Sequence, residues 1–206
     1  MEINETLADS TYTRIKDEII TGKIPSGSRI SEQALAREYG VSRTPIREAI
    51  RRLSEQGLIK VCPCSHMEVT APTEKQQKQL LELFTCLNLF SFDHSKREAL
   101  IKESKHLLSL AEESERAFLK GEKHKMIKGV NTFLHSFYHI AEHEALSKFF
   151  TRSLEPLLLL ILSTFEEEVK RVHLFIKRQK EIATLLLNEK LEEAREILAI
   201  YSESLE

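Results

Sequence analysis

Apolar and polar residues follow two different patterns along the chain, and the pattern changes near Pro72. Before this position, short segments are bounded by glycine and proline, and four of the six glycines lie within the first 60 residues. Beyond it, apolar residues recur every three or four positions over long stretches, which is the period of an amphipathic helix. This change predicts two domains, at residues 1–73 and 74–206.

The N-terminal segment predicts three short helices and a β-hairpin. An apolar stripe marks the first helix, namely Tyr12, Ile15 and Ile19. Ser31 and Ser42 are suited to cap the second and third helices, and Gly40 is suited to end the second. Two candidate strands follow around a turn, at Leu58–Val61 and Met67–Thr70. Three helices followed by a hairpin are the layout of a winged helix-turn-helix.

The third predicted helix has two distinct faces. One face is apolar and is expected to pack inward, with residues at i, i+3, i+4 and i+7, namely Ile46, Ala49, Ile50 and Leu53. Arg43, Arg47 and Arg51 fall at i, i+4 and i+8, so all three side chains can point outward together. Arginine pairs bidentately with guanine in the major groove, so this helix is equipped to read DNA. A solvated face, partly balanced by Glu48 and Glu55, would show the same periodicity.

Residues 74–206 predict six helices, at roughly 75–92, 95–119, 122–141, 144–163, 165–187 and 190–204. Apolar seams with alternating steps of three and four predict that they form an antiparallel bundle. The chain is therefore expected to be mainly α-helical, a winged helix-turn-helix followed by a six-helix bundle. The longest apolar run, Leu157–Leu162, is far shorter than the ~20 residues of a membrane span, so no membrane partner is expected.

Composition and charge narrow the possible functions. The 206 residues include 30 Lys and Arg against 32 Asp and Glu, a formal net charge of −2, so any DNA binding must depend on a local basic patch. The acidic start carries no export signal and the three cysteines form no complete disulfide framework, which favours the cytoplasm. No phosphate loop or catalytic motif is present, so an enzyme is not expected.

The run from Ile30 to Leu53 closely resembles the DNA-binding domain of GntR-type bacterial transcription regulators, and Gly57-Leu58-Ile59 resembles the entry to their wing. The helical remainder resembles the effector-binding FCD domain of the FadR subfamily in its six-helix, VanR-like form. This resemblance implies a homodimeric regulator, expected to be a repressor, that binds a palindromic double-stranded DNA operator and senses a small molecule. The alternative is a ligand- or protein-interaction module of the same fold that has lost effector or metal sensing.

The resemblance also implies roles for individual residues. Arg43 and Arg47 correspond to the base-reading positions, Arg51 to a backbone contact, and Ser42 and Thr44 to contacts with base edges or phosphate. Gln33 corresponds to the approach of the second helix to DNA. The wing departs from the family pattern, because Cys64-Ser65-His66 stands where basic residues and a glycine are usual.

Members of the subfamily often hold a divalent metal in the bundle. The four equivalent positions here are Asn131, His135, Gln179 and Tyr201, a set with one imidazole and no anionic ligand. No metal or other cofactor is therefore expected. Two interpretations stay open: a metal-free effector pocket for a small neutral or organic ligand, or mutual hydrogen bonding of the four side chains.

A second hypothesis concerns Cys62, Cys64 and His66 of the wing, which alternate to one side of an extended strand. They are candidates for a thiol or metal sensor, but three ligands on one short strand cannot close a tetrahedral site unaided. Reduced wing thiols of no consequence are the preferred interpretation.

Overall fold

The computed structural model describes residues 6–62, 66–154, 156 and 169–200. Contacts divide the chain into two compact units between Ala71 and Pro72, two residues before the predicted boundary. Helices dominate both units, so the predicted mainly α-helical class is confirmed. No helix in the described ranges is long and apolar enough to cross a lipid bilayer.

The N-terminal unit contains three helices and a small sheet. The helices are α1 (Leu7–Ile20), α2 (Glu32–Tyr39) and α3 (Arg43–Glu55), and the strands are β1 (Arg29–Ile30), β2 (Ile59–Val61) and β3 (Met67–Val69). The strands are antiparallel in the order β1-β3-β2. Strand β1 was not predicted, because two residues are too short to show an alternating pattern and only their pairing with β3 makes them a strand.

Local chemistry explains where these helices begin and end. Thr6 and Asp9 form a reciprocal capping box at the start of α1. Ser31 caps α2 by accepting a hydrogen bond from the backbone N–H of Ala34, and Gly40 ends α2 in the left-handed conformation, at φ 68°. The apolar faces of the three helices then meet in one core with β2 and β3, whose buried members include Ile15, Ile19, Ile46, Ala49, Leu53, Leu58, Ile59 and Val69.

The second unit is a set of packed helices. They are α4 (Glu74–Asp93), α5 (Arg97–Leu119), α6 (Lys123–Ile140), α7 (Glu144–Phe149), α8 (Val169–Leu187) and α9 (Leu191–Ala199). Helix α7 continues as a π-helical turn, Phe150–Leu154. Helix α5 packs against both α6 and α8, and α9 packs against α8 and α4. The bounds of α4, α5 and α6 differ from the predicted ones by a few residues at most.

The predicted seams form the core of this unit. On α6, Met126, Val130, Phe133 and Phe137 are buried, and on α8 Val172, Ile176, Gln179, Ala183 and Leu186 are buried. Phe137 contacts Phe133 edge-on and also lies against Phe92 of α4. The predicted helix at 144–163 differs, because the π-helical turn interrupts its regular α geometry. The run Leu157–Leu162 lies outside the described residues.

Candidate DNA-binding interface

Helix α3 presents the two faces that its periodicity predicts. Ile46, Ala49 and Leu53 are fully buried. On the opposite face, the side chains of Arg43, Arg47 and Arg51 are 61%, 66% and 62% exposed. The apolar face therefore anchors α3 in the core, and the three arginines lie in one line on the solvent-exposed face.

The start of α3 is also open to solvent. Ser42 holds the N-cap position, but within the described part of the chain its side chain makes no capping hydrogen bond. Its hydroxyl, like that of Thr44, is exposed and available to a ligand. Gln33 at the start of α2 is exposed as well. Backbone N–H groups at a helix start carry a partial positive charge, so this end of α3 suits phosphate.

Two of the arginines are held by a carboxylate that the sequence analysis missed. Glu32 accepts hydrogen bonds from Arg47 Nε at 3.2 Å and Nη2 at 3.1 Å, and from Arg43 Nη2 at 3.3 Å. The hydrogen bond from Arg47, ahead of that from Arg43, holds the pKa of Glu32 below its usual value. Arg43 and Arg47 lie 11 and 15 positions after Glu32, so the helical spacing of the sequence does not predict this pairing. Glu32 orients both guanidinium groups before any ligand arrives.

The other two arginines of α3 have different partners. Arg51 pairs with Glu55 one turn later on the same helix. Arg52 turns away from the exposed line: it hydrogen-bonds Asp9 of α1 at 2.8 Å and stacks over the ring of Tyr12 at 4.1 Å. The hydroxyl of Thr6 and the guanidinium of Arg52 lower the pKa of Asp9 to about 2. Arg52 therefore fixes α3 against α1 rather than facing outward.

A second polar cluster fixes α2 against α1. The carboxylate of Glu18 accepts hydrogen bonds from Tyr39 at 2.5 Å, Lys23 at 2.6 Å and Arg14 at 3.3 Å. Burial alone would raise the pKa of Glu18, but these hydrogen bonds hold it below its usual value. Helices α2 and α3 also pack directly on each other, and the contacts of both helices with α1 add to this packing.

The wing carries a cluster on its outer face. In the β2–β3 register Lys60 lies opposite Glu68, and the N–H of Cys62 donates to the carbonyl of His66 at 2.8 Å. Glu68 accepts from Lys60 at 3.3 Å and lies 3.0 Å from His66 Nε2. Lys60 first, and then His66, hold the pKa of Glu68 below its usual value. Cys62 and His66 belong to the sensor that the sequence predicts on the wing, whereas Glu68 does not. Cys64, the third predicted residue, lies outside the described residues.

The structure describes three of the four predicted pocket positions. Gln179 is fully buried and donates to the carbonyl of Val130 at 3.2 Å, whereas His135 Nε2 lies 3.0 Å from the hydroxyl of Thr151. Asn131 is half-buried on α6, and Tyr201 lies outside the described residues. His135 supplies one imidazole, and Asn131 and Gln179 supply two neutral amides. This set does not fit a transition metal, which binds several imidazole, thiolate or carboxylate ligands.

Buried polar atoms nonetheless accumulate in the helical unit. Within the described residues, Asn88 Oδ1, the Tyr138 hydroxyl and Gln179 Oε1 are buried without a hydrogen-bond partner. Burial raises the pKa of Tyr138 above its usual value. Leaving such a group unpaired costs about 1–3 kcal/mol, so each of them is a place for water or a ligand. Asn88 and Tyr138 were not predicted, although Asn88 interrupts an apolar seam as Gln179 does.

A three-helix core, a β-hairpin wing and an outward line of arginines on the third helix define a winged helix-turn-helix domain of the DNA-binding class. Residues 7–65 match the sequence profile of the family described as bacterial regulatory proteins, gntR family. This part of the chain is therefore similar to the GntR-type helix-turn-helix that its sequence resembles.

Two curated transcription regulators are similar to part of this chain. An uncharacterized HTH-type transcriptional regulator, YdhC of Bacillus subtilis, is 32% identical over 60% of this chain and 55% of its own length. The gluconate operon transcriptional repressor of the same organism is 30% identical over 45% of this chain and 39% of its own length. The chain thus spans about half or less of the length of these relatives.

Solved structures show the same fold over nearly the whole chain. A putative GntR transcriptional regulator from Rhodococcus sp. RHA1 superposes with a TM-score of 0.82 at 18% identity, covering 96% of this chain and 94% of that one. E. coli McbR/YncC superposes with a TM-score of 0.73 at 22% identity, with the same coverage. The chain therefore shares the fold of both solved structures.

Proposed function

We propose that this protein is a DNA-binding transcription regulator and that α3 is its reading helix. The observation that carries the proposal is the exposed line of Arg43, Arg47 and Arg51 beside the open start of α3. The relatives are all described as transcription regulators, which supports this function over an enzymatic one. Because the whole chain has a net charge of −2, this local patch must supply the attraction to phosphate.

We assign each side chain a distinct task. Arg47 uses Nε and one Nη2 hydrogen for Glu32, so its Nη1–Nη2 edge stays free for the O6 and N7 atoms of guanine. Arg43, at the first residue of α3, is placed to read the neighbouring base. Arg51, two turns along, meets the phosphate backbone, while Ser42 and Thr44 bind phosphate or base edges and Gln33 supports the approach of α2.

The test is a comparison of Arg47→Ala with Arg116→Ala. Arg116 is an exposed arginine of α5, so its removal changes net charge equally without touching the interface. The probe is a duplex selected by the wild-type protein from a randomised DNA library. We expect Arg47→Ala to lose specific affinity by about 1–3 kcal/mol per half-site, with an unchanged circular dichroism spectrum, while Arg116→Ala binds as wild type does.

If Arg47→Ala binds the selected duplex as tightly as the wild-type protein does, α3 is not the helix that recognises the sequence. Failure of the wild-type protein to select any sequence would favour the alternative of an interaction module that has lost DNA recognition.

The finer assignment is a homodimeric, cytoplasmic repressor of the FadR subfamily, with an FCD-type helical domain that senses a small effector. The repressor name of one relative and the fold of the second unit support it. Two identical domains related by a twofold axis read a palindrome, so the selected duplex should contain inverted half-sites. Sedimentation of the free protein and of its complex with that duplex tests the twofold stoichiometry.

The effector pocket is proposed among the buried polar groups of the bundle, with Asn131, His135, Gln179 and Tyr201 as its predicted residues. The partnerless atoms of Asn88, Tyr138 and Gln179 support a polar interior that a small neutral ligand or water would satisfy. Native mass spectrometry of protein from its own host should reveal a bound small molecule. That molecule should be lost in Gln179→Leu and retained in Thr132→Ala, a change at an exposed position of α6.

A further inference from the structure

Three side chains of different chemistry converge on the outer face of the wing. Side chains alternate across a strand, so Cys62 shares a face with Lys60, and His66 shares a face with Glu68. The register places Lys60 opposite Glu68 and Cys62 opposite His66, which brings both pairs to the same side of the hairpin. The sulfur of Cys62, a ring nitrogen of His66 and a carboxylate oxygen of Glu68 lie within 4.8 Å of one another.

This convergence is a property of the folded hairpin. The face toward the core is apolar, with Ile59 and Val69 buried. The outer face is only partly covered: the side chains of His66 and Glu68 are 34% and 21% exposed, so a solvated ion can reach them. Cys62 is half-buried, its thiol is not part of a disulfide, and its side chain hydrogen-bonds Glu68.

We propose that Cys62, His66 and Glu68 form a binding site for a divalent zinc ion on the wing. Thiolate, imidazole and carboxylate are the three protein ligands of zinc, and tetrahedral ligands about 2.0–2.3 Å from the ion lie about 3.3–3.8 Å apart. Ligand atoms spaced within 4.8 Å need only a small inward movement to reach that arrangement. Three ligands leave the fourth position to water or to an added donor.

Binding follows a definite proton balance. The thiol of Cys62 loses one proton to solvent when its sulfur coordinates the ion, and His66 binds through a neutral ring nitrogen. Glu68 exchanges its ion pair with Lys60 for the metal. The competing interpretation is an ordinary surface network of Lys60, Glu68 and His66, in which Cys62 is a hydrogen-bonding neighbour of Glu68 and never a metal ligand. The role of Cys62 therefore separates the two interpretations.

The site can be tested on the full-length chain without DNA. The protein is purified without a histidine tag, kept reduced, and titrated with zinc in competition with a chromophoric chelator, and with cobalt as a spectroscopic substitute. Wild type should bind one ion per chain, and cobalt should show the thiolate-to-metal charge-transfer band of a cysteine ligand. Cys62→Ser should abolish that band, and both Cys62→Ser and Glu68→Gln should weaken zinc binding by at least about tenfold.

Two control variants locate the ion. Cys86→Ser removes an exposed cysteine of α4 outside the cluster, and His135→Ala removes the one imidazole at the metal-equivalent positions of the bundle. Both should bind zinc as wild type does. Zinc binding that survives in Cys62→Ser, that is lost in His135→Ala, or that does not occur in the wild-type protein would overturn the proposal. Circular dichroism checks that each variant is folded. If Cys62→Ser fails to fold, Glu68→Gln, which preserves the size of the side chain, tests the site in its place.

Discussion

Glu32 and Arg47 face each other across α2 and α3 and are joined by two hydrogen bonds, at 3.2 and 3.1 Å. The arginine is 66% exposed and the glutamate side chain only 17%, so the carboxylate supports the guanidinium from behind. An arginine that is already oriented loses less conformational entropy when it meets a base. The acidic residue in this basic patch is therefore a support for recognition as well as a source of opposite charge.

We expect Glu32→Ala to weaken binding to the selected duplex more than binding to random duplex. The reason is that Arg47 loses its orientation, which matters only where it reads a base. In a double-mutant cycle with Arg47→Ala, the two changes should be non-additive by about 0.5–3 kcal/mol. Fluorescence anisotropy on both duplexes measures this. Equal tightening on both, as expected from simple removal of a negative charge near phosphate, would contradict the supporting role.

The pairing of Asp9 with Thr6 and Arg52 should appear as acid sensitivity of the N-terminal unit. The pKa of Asp9 is lowered from 3.8 to about 2 in the fold, so its contribution to stability is present above the unfolded-state value and is lost as pH falls through the folded value. The difference in unfolding free energy between wild type and Asp9→Asn should therefore shrink between about pH 5 and about pH 3. Urea unfolding at both pH values tests this, with Glu48→Gln on the exposed face of α3 as the control. A difference that is constant with pH would mean that Asp9 acts without its charge.

The packing of α6 against α5 depends on the absence of a side chain at Gly129. A Cβ added there would overlap the hydroxyl oxygen of Ser114, a buried residue whose hydroxyl donates a hydrogen bond to the carbonyl of Leu110 at 2.8 Å. Alanine favours a helix over glycine by about 1 kcal/mol, but overpacking of this kind costs about 1–3 kcal/mol. Gly129→Ala should therefore lower the free energy of unfolding.

The double variant Gly129→Ala/Ser114→Ala isolates the cause. It removes the clashing oxygen and should be more stable than Gly129→Ala alone, as measured by chemical unfolding. If Gly129→Ala by itself is as stable as wild type, the close approach is relieved by a rotation of Ser114 at no cost.

Zinc on the wing should strengthen DNA binding, an expectation that rests on the proposed function as well as on the metal site. Each ion brings two positive charges and releases one proton from Cys62, so each wing gains one net positive charge, and Lys60 is released from Glu68. The slope of log affinity against log salt should therefore steepen by about 0.9 per wing. Binding to the selected duplex at several salt concentrations, with and without zinc, measures this slope. A slope unchanged in a protein shown to hold zinc would mean that the wing does not meet DNA.

Local sequence determined most helices of this protein and the exposed arginine face of α3. The apolar stripe and the arginines of α3 both follow the helical period, so burial of the stripe leaves the arginines exposed. A period of this kind can be recognised directly in the sequence. Ser31 and Gly40 similarly mark the ends of α2 through interactions within a few residues of each helix end. The seams of α6 and α8 were predictable for the same reason.

Contacts between distant segments were decided only by the tertiary structure. Strand β1 exists because Arg29 and Ile30 find partners in β3, and Glu68 joins Cys62 and His66 because the hairpin register sets them on one face. Glu32 reaches Arg43 and Arg47 because α2 packs against α3. Such pairings depend on how the helices and strands pack against one another. The free energy of that packing comes from contacts between segments that are distant in sequence, and the spacing of residues along the chain does not reveal those contacts.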